Sequence, residues 1–237
     1  MTAVEQRQAV PYGPMAGVVA RMRAVHAGLP SHDGVAVFNR MYLRVTVELA
    51  RRLEAGGFTA REASADLAVR FADRYLRAVE GFFDHGCGPA CWRPLFRSRG
   101  HPGVRPVQFA LAGINAHIGH DLALALLDTC RARGARPALL ERDFDRVGEV
   151  LAELEEAVRE ELMPGPDLLE VADPLTHLVG AWSLDRARDG AWVAFRSMWG
   201  LRRFPDLTEE FAERLDAAVG LAGRCLVTPL DVRVRRG

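Results

Sequence analysis

Hydrophobic residues recur at helical spacing along most of the chain, and the interruptions fall at glycine and proline. Met15–Ala27 sets valine and methionine against arginines, and Gly28 to Gly34 reads as a turn. Val35–Ala55 is the second predicted helix, closed by Gly56 and Gly57. Thr59 and Glu62 have the spacing of a capping box, which predicts a third helix from there to about Phe83. Residues 84–106 hold four prolines and clustered arginines and predict a long irregular connector. A helix over 107–133 follows and stops at Gly134. Asp143 or Asp145 is placed to cap a fifth helix, with Phe144, Val147, Leu151, Leu154 and Val158 on one stripe, and Pro164 ends it. Further helices are predicted over 167–181, 184–203 and 207–226. Period-2 alternation is absent apart from a weak strand signal over Cys225–Val234. The pattern predicts an all-α fold, a single-domain bundle of about seven or eight helices over 13–237 around a buried central helix. A flexible arm, residues 1–12, precedes it.

The central segment, VQFALAGINAHIGHDLALALLDT (107–129), is apolar on almost its whole circumference, which marks a buried helix. Its exceptions cluster. At helical spacing His117, His120 and Asp121 fall within an arc of about 100°. Burying an unpaired polar group costs roughly 1–3 kcal/mol, and a charge more, so three ionisable groups on one side of a core helix either satisfy one another or face a pocket. Two chemistries suit them. A divalent metal, zinc, iron or manganese, takes His117, His120 and Asp121 as ligands. It then needs one more ligand from His32, Asp33, His85, His101 or His177. Without a metal, Asp121 orients a histidine that acts as general base or acid. Gly113, one turn before His117, leaves space on the same side.

Composition removes several alternatives. The 31 basic residues balance 31 acidic ones, so no excess charge draws nucleic acid. Every basic residue is arginine, which excludes Schiff-base lysine chemistry and the P-loop lysine. Four cysteines are too few for a disulfide scaffold. No signal peptide and no uninterrupted 18-residue apolar run is read, so the expectation is a cytoplasmic protein with no membrane span. Cys87 and Cys91, with His85 and His101, have ligand types for structural zinc, but only one C-x3-C pair exists.

Polar residues on other predicted helices extend the list. Asn39, Tyr42 and Thr46 form a ridge on the second helix, with Tyr42 a hydrogen-bond or proton donor toward the histidines. Gln108 and Asn115 lie on the opposite side of the central helix and suit a ligand carbonyl or an inter-helix bond. Trp182, Arg186 and Trp192 lie near or on the seventh helix, where Arg186 suits an anionic substrate group. The blocks F-N-R-M-Y-L-R-V-T (38–46), Q-F-A-L-A-G-I-N-A-H-I-G-H-D-L (108–122) and W-x3-R-x2-D-x2-W (182–192) resemble an uncharacterised bacterial family, found in actinobacteria among others, a domain of unknown function of this length. The resemblance covers about residues 30–200 and implies no reaction. It suggests that the three blocks meet in one pocket.

The expected function is an enzyme acting on a small, largely apolar molecule by hydrolysis, cyclisation or elimination, with specialised metabolism as one setting for such chemistry. His117, His120, Asp121 and Tyr42 are its expected catalytic residues; Asn39, Gln108, Asn115, Arg186, Trp182 and Trp192 position substrate. A non-catalytic ligand-binding or sensing module and a structural protein with a self-satisfied polar cluster are the alternatives.

Overall fold

The computed structural model describes residues 13–149 and 183–229. Among them no residue is in a strand; the chain is all-α. A single 3-10 turn, Gly13–Met15, leads into α1 (Ala16–Gly28), α2 (Gly34–Glu54) and α3 (Arg61–His85). A short helix, α4 (Arg93–Ser98), interrupts the connector that the prolines predicted to be irregular. The central rod is α5 (Pro106–Ala116), a π-helical turn (His117–Asp121) and α6 (Leu122–Arg133). Residues 138–149 form α7, followed by α8 (Leu184–Leu201) and α9 (Pro205–Leu226). The arm over 1–12 and the predicted helix over 167–181 lie outside the described residues. Residues 225–226 of the weak strand signal are helical.

Two hydrophobic cores adjoin along the central rod. The first joins α1 to α5 and contains the rod up to Ala116. The second joins the start of α3 to α6, α7 and α8 and contains the rod from Ile118 onward. The rod is also the one helical stretch among the described residues long and apolar enough to cross a membrane, and 78% of its most apolar window is buried inside the protein. Two glycines set its distance from α2. A Cβ on Gly113 would stand 2.3 Å from Phe38 Cδ2, and one on Gly34 would stand 2.6 Å from Phe109 Cδ1. The space that Gly113 leaves is therefore filled by the Phe38 ring and is no part of a pocket.

Two capping arrangements differ from the sequence pattern. No side chain caps α3 at its N-cap residue, Ala60. Instead Asp143, inside α7, accepts the backbone N–H of Thr59 and of Ala60, each at 2.8 Å, and the Ser64 hydroxyl at 2.7 Å. Its carboxylate meets the positive end of the α3 dipole, so Asp143 caps the third helix, not the fifth. Asp33 does cap its own helix: Oδ1 accepts from the Val35 N–H at 2.8 Å while Oδ2 pairs with Arg99.

Candidate functional site

The polar cluster sits at the junction of the two cores, on the π turn. There the Leu122 N–H bonds to the His117 carbonyl, five residues back instead of four. One extra residue per turn widens the helix locally, a feature that recurs at functional sites. It places His117, His120 and Asp121 together, and all three are buried.

Asp121 is the hub. Its Oδ2 receives His117 Nδ1 at 3.1 Å and the Trp92 indole N–H at 3.0 Å; its Oδ1 receives His120 Nδ1 at 2.9 Å. Burial pushes the Asp121 carboxyl up, but the hydrogen bonds from both histidines outweigh burial and hold it at about 2. An ionised carboxylate only accepts, so both imidazoles donate from Nδ1. A ring that donates from Nδ1 carries, in its neutral form, the lone pair on Nε2.

The two Nε2 atoms have opposite surroundings. His117 stacks on Phe71 with ring centres 3.6 Å apart and planes 5° apart, and Phe38, Tyr42, Tyr75 and Trp92 close the rest of the cage. Among the described residues, His117 Nε2 is the buried side-chain nitrogen or oxygen without a hydrogen-bond partner. Burial holds the His117 pKa below the ordinary imidazole value, against the pull of Asp121, so His117 stays neutral. His120 points its Nε2 toward Asp216 of α9, 3.9 Å from Oδ1. Asp216 in turn accepts the backbone N–H groups of Ala90 and Cys91, both at 2.8 Å. The Cys91 thiol joins this group: its Sγ, a ring nitrogen of His120 and a carboxylate oxygen of Asp216 all lie within 4.8 Å of one another.

A cleft of about 270 Å³ opens above His120 and Asp121. Its wall on α3 carries Arg70, Asp73, Arg74 and Arg77, and Asp128 and Pro89 face them. Arg74 pairs with Asp128 at 2.5 Å, Arg77 with Asp73 at 2.6 Å and Arg70 with Asp66 at 3.0 Å.

The structure brings together His117, His120, Asp121 and Tyr42, whose ring centre lies 4.3 Å from that of His117. Tyr42 keeps its proton: burial raises its pKa well above the usual phenol value, against a hydrogen bond with the Thr46 side chain. The amides are committed elsewhere. Asn39 donates to the Met22 carbonyl at 2.9 Å and accepts from the Tyr75 hydroxyl at 3.2 Å. Gln108 donates to the carbonyls of Leu226 and Thr228, and accepts the Arg105 N–H. Asn115 donates to the Val219 carbonyl at 3.0 Å. All three bind helices together through these bonds. Arg186 is exposed at the start of α8, and Trp192 packs between Phe144 and Phe195 in the second core; neither lines the cleft. Trp182 lies outside the described residues.

The metal reading changes in its ligands. Asp121 already receives three N–H donors, and His117 Nε2 faces aromatic rings, so the close group of ligand atoms is Cys91, His120 and Asp216. Trp92, Cys91 and Asp216 escaped the sequence reading as partners of the histidines. Cys91 enters the sequence reading only beside Cys87, His85 and His101 as a structural-zinc candidate, and Trp92 carries no signal there. Asp216 reads in sequence as an ordinary helix-surface acid.

Residues 15–229 match the model of DUF5995, a family of unknown function, and the chain belongs to that family. No curated protein and no solved structure matches it.

Proposed function

We propose that this DUF5995 chain is an enzyme for a small polar molecule bearing an anionic group, with His120 as its working residue. One observation carries the reading. A buried, ionised Asp121 holds His120 by Nδ1 and turns the other ring nitrogen toward Asp216, beside a cleft of about 270 Å³ that His120 and Asp121 line. A carboxylate-backed imidazole is fixed in one tautomer and stabilised when it takes a proton. General acid–base action of this kind accelerates a reaction roughly 100- to 10,000-fold. His120 Nε2 takes a proton from water in a hydrolysis, or from carbon in an elimination or cyclisation. His117 and Trp92 hold the second oxygen of Asp121 and fix its orientation.

The cleft walls favour the substrate class. Arg70, Arg74 and Arg77 recur at i, i+4 and i+7 on α3, one face of a helix, and each already holds a carboxylate of the protein. A substrate carboxylate or phosphate can replace Asp128 or Asp73 as partner, with the bidentate geometry that arginine favours. Such walls suit a charged molecule better than the largely apolar one that the central helix alone suggests.

The test is untargeted mass spectrometry of a bacterial metabolite extract incubated with the wild type and with His120→Gln. The expected result is at least one anionic species consumed by the wild type and spared by the variant. Equal consumption, or none, overturns the enzyme reading. A species retained unchanged by both proteins identifies a binding module, the second reading, which the pre-paired arginines of the cleft favour.

A further inference from the structure

We infer that Cys91, His120 and Asp216 form a mononuclear site for a zinc-class divalent cation beside the cleft, which His120 lines. The ligand atoms already converge within 4.8 Å of one another, with His120 Nε2 3.9 Å from Asp216 Oδ1. Bonds of roughly 2.0–2.3 Å in a tetrahedral site space neighbouring ligand atoms roughly 3.3–3.8 Å apart, so each atom moves by about an ångström or less. The pieces are held from behind. Asp121 fixes the far nitrogen of His120, the usual outer support of a ligating histidine. The N–H groups of Ala90 and Cys91 fix both oxygens of Asp216.

The donor set decides the class of ion. A thiolate and an imidazole beside one carboxylate suit zinc and do not suit magnesium or calcium, which take oxygen. Three protein ligands leave a fourth position for water or substrate, the pattern of catalytic and not of structural zinc. His120 is on the cleft wall and the Asp216 side chain is 22% exposed, so the group borders solvent. Binding releases the Cys91 thiol proton to solvent. The inference rests on the reading above and changes one role in it: with the cation bound, His120 Nε2 would be a ligand and not the free base, and the cation would supply the activation of water, whose proton would pass to solvent.

The experiment titrates untagged, metal-stripped full-length protein with zinc and with cobalt(II). One equivalent per chain is expected, with a thiolate-to-cobalt charge-transfer band in the near ultraviolet and a rise in Tm. Cys91→Ser removes the band, and Asp216→Asn weakens binding by tenfold or more, each variant checked for helicity by circular dichroism. Cys87→Ser and Cys225→Ser, at exposed cysteines, leave the band intact. Absence of saturable binding, or binding unchanged in Asp216→Asn, overturns the site even where Cys91→Ser fails to fold. Stoichiometric cation without turnover leaves the site standing and sinks the enzyme. Turnover that needs His120 in metal-free protein, with no saturable cation binding, does the reverse.

Discussion

Asp121→Asn removes the acceptor on which three buried N–H donors converge, and the structure sets the size of the loss. A carboxyl held at about 2 against an ordinary 3.8 stabilises the folded state by about 2 kcal/mol at neutral pH. The amide adds a mismatch. It offers one acceptor and one donor to a site that supplies donors from His117, His120 and Trp92, so at least one buried N–H loses its partner, at about 1–3 kcal/mol. A protonated carboxyl presents the same mismatch, so the two figures overlap and the expected destabilisation is about 2–3 kcal/mol, a large share of the stability of an ordinary domain. The sign with pH follows from the depressed carboxyl. Its contribution is complete above the unfolded value and is lost as pH falls toward the folded one. Between pH 6 and pH 3 the gap between wild type and Asp121→Asn therefore narrows by about 1 kcal/mol. Urea unfolding followed by circular dichroism at both pH values measures it. A variant within about 0.5 kcal/mol of the wild type at neutral pH would refute the hub, as would a gap that ignores pH.

Three further outcomes are expected. His117 stays neutral in its aromatic cage while the unfolded chain titrates near 6.5, so wild-type stability falls below that pH, by up to about 1.4 kcal/mol per unit; His117→Phe flattens this slope in urea melts between pH 7 and pH 5, and parallel slopes would contradict the caging. Asp143→Ala strips the α3 N-terminus of its acceptor and is expected to lower unfolding free energy by about 2–4 kcal/mol, whereas a loss below about 0.5 kcal/mol would mean that water replaces the carboxylate. Gly113→Ala drives a Cβ into the buried Phe38 ring and should destabilise by about 1–3 kcal/mol, while Gly190→Ala, with open space on α8, should stabilise by about 0.5–1 kcal/mol; equal effects on Tm would show that the α2–α5 contact is loose.

The sequence by itself determined the helices, the burial of the central rod and the grouping of His117, His120 and Asp121. These are local properties: an apolar circumference and a spacing of three or four residues are readable without knowing any neighbour. Tertiary structure decided which atoms do what. Trp92 reaches Asp121 from 29 residues away, Asp216 reaches the Cys91 N–H from 125, and Asp143 caps a helix 83 residues before it. Such bonds depend on how helices cross, which has no sequence period. The amides show the same limit from the other side: Gln108 and Asn115 suit a ligand carbonyl or an inter-helix bond by sequence, and the carbonyls of Leu226, Thr228 and Val219 decide for the inter-helix bond. Arg70, Arg74 and Arg77 carry no signal in the sequence because an arginine beside a cleft and one beside bulk water have the same spacing; only the packing of α3 against the rod makes their face a wall.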